Sequence, residues 1–219
     1  MEFSELIYFI FEMVGTVSFA VAGAMVAIKK KVDIFGVLVL SSVTALGGGI
    51  VRDILIGTMP PRMFSDYRYL LGAISAALVV FIVAFIFKDA FSRGYNIVDG
   101  VNNIFDAIGL GIFTVTGARV AIDSGFTRNG ILVVCLAVIT GVGGGVIRDV
   151  MLTEIPFVLK KRIYAIASIC GGTAYHLMFI NNVDKTMAAI ISVAVVFVIR
   201  VLATVFKLDL PRVKLNENK

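Results

Sequence analysis

Long apolar segments separated by short polar ones fill almost the whole chain. A helix that crosses the hydrocarbon core of a bilayer needs about 20 mostly apolar residues. Measured against that length, the pattern predicts an all-α membrane protein with seven transmembrane helices. The predicted helices span residues 4–28, 34–57, 68–87, 101–122, 129–152, 162–181 and 185–206. We treat residues 1–219 as a single membrane domain that ends in a tail at 207–219.

The composition agrees with a membrane location. Of the 219 residues, 59% are hydrophobic and 16% are charged, whereas soluble domains average about 45–50% apolar and about 25% charged. The first apolar segment is too long for the core of a cleaved signal peptide, and no basic residue precedes Lys29, so we expect a retained helix. Cys135 and Cys170 lie inside apolar segments, which favours buried free thiols over a disulfide.

The distribution of basic residues predicts the orientation. Seven crossings place the two termini on opposite sides, so the basic residues can be summed for each side. The N-terminal side carries five: Arg62, Arg68, Arg119, Arg128 and Lys185. The C-terminal side carries twelve: Lys29, Lys30, Lys31, Lys88, Arg93, Lys160, Lys161, Arg162, Lys207, Arg212, Lys214 and Lys219. The positive-inside rule then places the N-terminus outside the cell membrane and the C-terminus in the cytoplasm.

The net charge of +5 does not indicate a nucleic-acid partner. The basic residues of the chain lie in short loops rather than along one helix face or in a tail. The lysine-rich loops on the cytoplasmic side suit anionic lipid headgroups, although ordinary topology also explains them.

An internal repeat is the most informative feature of the sequence. The segment from Gly47 to Asp53 reads GGGIVRD, and it recurs 96 residues later as GGGVIRD. Pro60 likewise recurs as Pro156, at the same shift. Upstream, three further residues have counterparts at a shift of 94, namely Glu12 with Asp106, Gly15 with Gly109, and Gly23 with Gly117. The matches indicate duplication of one unit.

The duplicated unit spans about 3–88 and about 100–182, and a helix at 185–206 is appended. Because each unit has three spans, an odd number, the second copy enters the membrane from the opposite side. The two copies are therefore inverted repeats, related by an axis in the membrane plane. Folds of this kind often place a solute path at the repeat interface.

The triple glycines lie near the middle of two predicted helices, as Gly47, Gly48 and Gly49 and as Gly143, Gly144 and Gly145. Each glycine inside a helix costs about 1 kcal/mol relative to alanine, so three together favour a break. Freed backbone carbonyls are tolerated in a membrane only inside protein or along a wet cavity, where they suit a cation. The alternative is that the glycines let helices pack closely. We favour broken helices that line a path.

Four charged residues follow the glycines by one turn: Arg52, Asp53, Arg148 and Asp149. Charges at such depth are costly unless they are paired or hydrated. Adjacent residues of a helix point about 100° apart, so we expect each to reach another helix or the freed carbonyls rather than its neighbour. Glu12 and Asp106 are the nearest acidic candidates for partners. A static salt-bridge clamp between the repeats is the alternative to a path.

The remaining polar residues carry little functional signal. His176, the single histidine, is interpreted as a packed residue. Arg200 is expected to extend its charge to the cytoplasmic membrane surface. The sequence contains no metal-ligand cluster, no GxxxxGK loop and no recognisable nucleophile–base pair, so we expect neither an enzyme nor a bound metal or cofactor.

The doubled GGG-x-x-R-D signature, the two three-helix repeats and the seventh helix resemble the prokaryotic trimeric intracellular cation (TRIC) channels, over about Phe3 to Lys207. The resemblance implies a homotrimer in which each subunit conducts monovalent cations, chiefly potassium. It also implies that the helices bend at 47–49 and 143–145, and that both Arg-Asp pairs lie at or beside the pore. The segment Gly117-Ala118-Arg119 lacks the lysine-containing phosphoinositide motif of animal members.

Two other functions stay open on the sequence. Bacterial relatives of this family are also described as glycine transporters, so a secondary transporter for glycine or a similar small solute is the alternative. In the third interpretation the charges are all structural and the protein serves in assembly.

Overall fold

The computed structural model describes residues 3–88, 91, 95–160 and 163–207. Within these residues, seven helices are long and apolar enough to cross a membrane, which confirms the predicted all-α fold. The helices are α1 (Phe3–Lys29), α2 (Ile34–Leu55), α3 (Arg62–Ser65), α4 (Tyr67–Ile86), α5 (Tyr95–Ala121), α6 (Gly130–Met151), α7 (Phe157–Lys160), α8 (Ile163–Ile180) and α9 (Lys185–Val205). The short helices α3 and α7 follow α2 and α6 and do not span.

The observed spans agree with the predicted ranges to within two residues, with one exception. Helix α5 begins at Tyr95 rather than at 101. Its first turns carry polar residues, and Asp99 forms an ion pair with Lys29 at the end of α1. A search for apolar residues misses a helix that extends beyond the bilayer. The predicted tail beyond Lys207 lies outside the described residues, as do Arg93, Lys161 and Arg162.

Matching caps begin the second helix of each repeat. The side chain of Asp33 accepts a hydrogen bond from the backbone N–H of Gly36 at the start of α2. Asn129, which is 96 residues later, accepts one from Leu132 at the start of α6. Each cap satisfies a backbone donor that the helix leaves free. The polar capping residue therefore fixes where each apolar segment becomes helical.

Helices α2 and α6 cross with their backbones in contact. A β-carbon on Gly48 would lie 2.1 Å from the carbonyl oxygen of Thr140, and one on Gly144 would lie 2.1 Å from the carbonyl oxygen of Thr44. The later residue of each helix thus meets the earlier residue of the other, so the helices are antiparallel. Such a reciprocal contact is characteristic of a two-fold axis. The repeats are therefore inverted.

The other matched glycines also lie at close helix contacts. A β-carbon on Gly15 would lie 2.6 Å from Ile112 of α5, and one on Gly109 would lie 2.3 Å from Phe19 of α1. Within the first repeat, a β-carbon on Gly23 would lie 2.7 Å from the hydroxyl of Thr44 on α2. Within the second repeat, one on Gly117 would lie 2.5 Å from the hydroxyl of Thr140 on α6. The repeat therefore preserves a pattern of small residues at helix contacts.

The expected break at the triple glycines is wrong. Helices α2 and α6 are continuous through Gly47–Gly49 and Gly143–Gly145. Because glycine has no side chain, the two helices can pack closely at these positions. An intact helix also keeps its backbone donors and acceptors paired, as a membrane interior requires. The expectation of buried cysteines is also wrong, because Cys135 and Cys170 are free and exposed on the outer surface.

We expect Gly48→Ala to lower the stability of the protein by about 1–3 kcal/mol, because the methyl group overlaps the backbone of α6 and must force the helices apart. The matched control is Gly49→Ala on the same helix, where the nearest atom to the new carbon is 3.6 Å away. Thermal unfolding of both variants in detergent measures the difference. Equal losses in the two variants would contradict the packing role of Gly48.

Candidate functional site

Two cavities lie at opposite ends of the membrane domain. The first, of about 290 Å³, lies among α1, α2, α4 and α5 and is lined by Glu12, Thr16, Gly49, Arg52, Asp53 and Tyr69, among others. The second, of about 160 Å³, is lined by Lys30, Arg148, Asp149, Glu154 and Lys160, among others. Because α2 and α6 are antiparallel and each Arg-Asp pair lies near the carboxyl end of its helix, the two cavities open on opposite sides.

The buried arginines of the two repeats, Arg52 and Arg148, each pair with the aspartate next to them. Arg52 Nε donates to Asp53 Oδ1 at 2.9 Å, and Arg148 Nε donates to Asp149 Oδ1 at 2.9 Å. The expectation that adjacent residues would not pair is therefore wrong. The long arginine side chain folds back along the end of its helix, which overcomes the 100° between adjacent side chains. Pairing within the sequence keeps both charges neutralised in a membrane interior.

The second carboxylate oxygen of each aspartate fixes the following loop. Asp53 Oδ2 accepts a hydrogen bond from the backbone N–H of Arg62 at 2.9 Å. Asp149 Oδ2 accepts one from the backbone N–H of Phe157 at 2.6 Å. The donor in the first repeat comes one residue later because the counterpart of Phe157 is Pro61, which has no N–H. Each Arg-Asp pair thus binds a helix end to the short helix that follows.

The two matched acids each accept a hydrogen bond from a tyrosine. Tyr69 OH donates to Glu12 Oε2 at 2.8 Å, and Tyr164 OH donates to Asp106 Oδ1 at 3.2 Å. The tyrosines are 95 residues apart, on α4 and α8. Neither tyrosine was predicted, although the two recur at nearly the same shift as the glycine motifs. The predicted role of Glu12 and Asp106 as charge partners of the Arg-Asp pairs stays a prediction, and the direct hydrogen bonds given for their carboxylates come from the two tyrosines.

Arg200 was also misplaced by the sequence analysis. It is 3% exposed and does not extend to the membrane surface. Its Nη2 lies 3.6 Å from Asp106 Oδ2, and its guanidinium carbon lies 4.6 Å from the centre of the Tyr164 ring. The ring face and the carboxylate both favour a cation at this position. Arg200 therefore supplies the second repeat with a buried positive charge that comes from outside the repeat.

The glycines divide between two roles. Gly47, Gly48, Gly143 and Gly144 face the contact between α2 and α6. Gly49 lines the first cavity, and the nearest atom to a β-carbon on Gly145, outside the backbone of its own helix, is Nη2 of Arg148, at 3.8 Å. Of the six glycines, only the third of each cluster therefore lies beside a charged group.

Known proteins resemble this chain over nearly its whole length. The sequence model of a family described as glycine transporter matches residues 9–85 and 103–180, with one match in each predicted repeat. The UPF0126 inner membrane protein YadS of Escherichia coli (strain K12) is 35% identical over 217 residues, which cover 97% of this chain and 99% of that protein.

Solved structures share the fold. A structure that gives the basis for conductance through TRIC cation channels is 38% identical, covers 100% of both chains and has a TM-score of 0.83. The TRIC trimeric intracellular cation channel orthologue from Rhodobacter sphaeroides is 29% identical and has a TM-score of 0.80, with 92% of this chain and 99% of that chain covered. The seven-helix arrangement with its inverted repeats is therefore that of solved channels.

Breaking one buried pair should destabilise the protein strongly. Asp149→Asn leaves the guanidinium of Arg148 buried without its counter-charge, and we expect a loss of about 3–5 kcal/mol. Glu154→Gln is the matched control, since its carboxylate pairs with Lys30 and Lys160 in solvent, and we expect little change there. Chemical unfolding in detergent compares the two. A stable Asp149→Asn variant would contradict the structural role of the pair.

The ion pairs at the second cavity should also lower the pKa of Glu154. Hydrogen bonds from Lys160 and Lys30 lower the pKa of Glu154 from 4.5 to about 2. Their contribution to stability is complete above pH 4.5 and is lost as the pH falls through about 2. NMR titration of a labelled Glu154 side chain measures this midpoint, and Lys160→Gln should raise it. An unchanged midpoint in that variant would contradict the assignment of Lys160 as the main cause.

Proposed function

The chain belongs to the TRIC family, and we propose that it is a channel for monovalent cations, with potassium as the main permeant ion. The observation that carries this proposal is the position of Glu12. Its carboxylate faces a membrane cavity of about 290 Å³ and accepts a hydrogen bond from Tyr69, which is neutral. In the same cavity Arg52 is neutralised by Asp53. Three acidic and two basic residues line this cavity, since Asp66 and Arg62 line it as well, so its lining has a surplus of one negative charge, which favours a cation.

The charges around the first cavity suit the passage of a cation better than its tight binding. A single carboxylate in a wet cavity attracts a cation by an interaction on the order of 1 kcal/mol, which is weak enough for rapid release. Each Arg-Asp pair adds a dipole to one of the two cavities, and its hydrogen bond to the following loop holds the cavity wall in place. Gly49 leaves space beside Arg52, because the nearest atom to its absent side chain is 3.6 Å away. Ions would thus approach from either side through cavities whose walls are fixed by hydrogen bonds.

The finer features of the proposal follow the relatives. We propose a homotrimer, as in the trimeric orthologue, in a multi-pass cell-membrane location with the N-terminus outside. In this orientation Lys30 and Lys160, which line the second cavity, lie on the cytoplasmic side. There they suit anionic lipid headgroups.

A carrier for glycine is the second candidate, and the description of the matching family model favours it. The first cavity presents the guanidinium of Arg52 and the carboxylate of Glu12 together. A glycine zwitterion carries one carboxylate and one ammonium group, so the two side chains would bind its two ends. The inverted repeats could then open the site alternately to each side.

Recording from purified protein in planar bilayers under a potassium gradient tests the channel. We expect discrete openings whose reversal potential follows potassium, and Glu12→Gln should lower the conductance about two- to fivefold at low salt but less at high salt, because salt screens the lost charge. The matched control is Asp123→Asn, an exposed acid on the same predicted side that pairs with Arg119. We expect no change in that variant.

Uptake of labelled glycine into proteoliposomes decides between the candidates. A channel should show no saturable uptake. Saturable uptake without unitary currents, reduced by Glu12→Gln, would overturn the channel in favour of the carrier. Neither current nor uptake would leave the charges with a structural role only.

A further inference from the structure

The two repeats differ at one chemically important place. Glu12 with Tyr69 and Asp106 with Tyr164 are equivalent pairs, each an acid on the first helix of a repeat and a tyrosine on the third. In the first repeat the acid faces an open cavity. In the second repeat the guanidinium of Arg200 lies against both members of the pair. A covalently attached cation thus lies where the first repeat has free space.

Arg200 comes from α9, which is outside both repeats. This helix packs on α5 and α8, the helices that carry Asp106 and Tyr164. The first repeat has no counterpart of α9 among the described residues, so no equivalent arginine reaches Glu12. The added helix is therefore the physical origin of the difference between the two ends.

The contact between Arg200 and Asp106 is loose. The closest approach is 3.6 Å, and neither Arg200 Nε nor Asp106 Oδ2 has a hydrogen-bond partner among the described residues, although both atoms are buried. A permanent structural pair of this kind usually forms two parallel hydrogen bonds of about 2.7–2.9 Å. Buried polar atoms without partners are rare in native proteins, and such sites often belong to a water, an ion or a group that moves.

Space for movement lies beside the arginine. A cavity of about 210 Å³ between α5 and α9 is lined by Arg200 itself, together with Gly100, Asn103, Ala107 and Thr204, among others. The side chain can therefore leave Asp106 without unfolding a helix. Arg200 also lies near the carboxyl end of α9, on the same side of the membrane as Arg148 and Asp149.

We propose that Arg200 is a tethered cation that occupies the cation site of the second repeat and closes that end of the path, and that a free monovalent cation binds Asp106 and Tyr164 when Arg200 withdraws. The closing role rests on the proposed channel function, whereas the cation site does not. Removing the arginine should leave a site that accepts a free guanidinium ion, which has the charge and shape of the missing group.

The first test measures binding without any current. Millimolar guanidinium should raise the thermal unfolding temperature of Arg200→Ala by about 3–5 °C at ten times its dissociation constant, and urea at the same concentration should not. Lys185→Ala, on the same helix, should show no such rise. The double variant Arg200→Ala with Asp106→Asn should lose the effect. A rise that persists in the double variant, or no rise in Arg200→Ala, overturns the site.

The second test measures the closing role. In bilayer recordings, Arg200→Ala should open more often or conduct more than wild type, and guanidinium added on the C-terminal side should reverse the gain. Arg200→Gln, which keeps a polar group, serves if the alanine variant does not fold, and Arg200→Lys should behave like wild type. Normal currents in all three variants overturn the closing role.

The two failures are distinguishable. Binding of guanidinium to Arg200→Ala in a protein that never conducts would reject the channel and keep the cation site. Potassium currents in wild type, with no effect of Arg200→Ala on either currents or guanidinium binding, would keep the channel and reject this inference.

Discussion

The contact between α2 and α6 is the constraint on which the rest of the structure depends. Gly48 and Gly144 each meet a main-chain carbonyl of the opposite repeat. Because lipid offers no hydrophobic force between helices, close packing of this kind supplies much of the association. The contact fixes the two-fold axis, and the axis sends the two Arg-Asp pairs to opposite ends of the molecule. The helices are continuous at the contact, so the triple glycines leave no backbone donors or acceptors unpaired by a helix break.

The buried charged residues pair in two ways, with an adjacent residue or with a residue far along the chain. Each Arg-Asp pair is formed between adjacent residues near the end of one helix, so both partners come from the same repeat. The acids on the first helices depend instead on partners far along the chain. Among the residues that the structure describes, the partner of the Glu12 carboxylate is Tyr69, whereas Asp106 has both Tyr164 and Arg200. The local pairs are alike in the two repeats, and the difference between the repeats arises from the distant partners.

The sequence predicted the features that one helix determines by itself. Apolar length located the seven spans, and the matched glycines and Arg-Asp pairs revealed the inverted duplication. It misjudged the triple glycines, because a helix break and close packing have the same residue signature. It also misjudged Arg52 and Arg148, since side-chain length and a nearby helix end outweigh the angle between neighbours. Arg200 could not be placed, because its burial depends on how α9 packs against α5 and α8.

The close approach at Gly48 restricts how the two halves of the gene can diverge. The atom that a side chain at this position would meet is the carbonyl oxygen of Thr140, which every amino acid possesses. No substitution at position 140 can therefore make room, and covariation cannot rescue a larger residue at position 48. Gly15 differs, because its neighbour is the side chain of Ile112, which a smaller residue could replace. A compensating substitution can therefore accommodate a larger residue at position 15 but not at position 48.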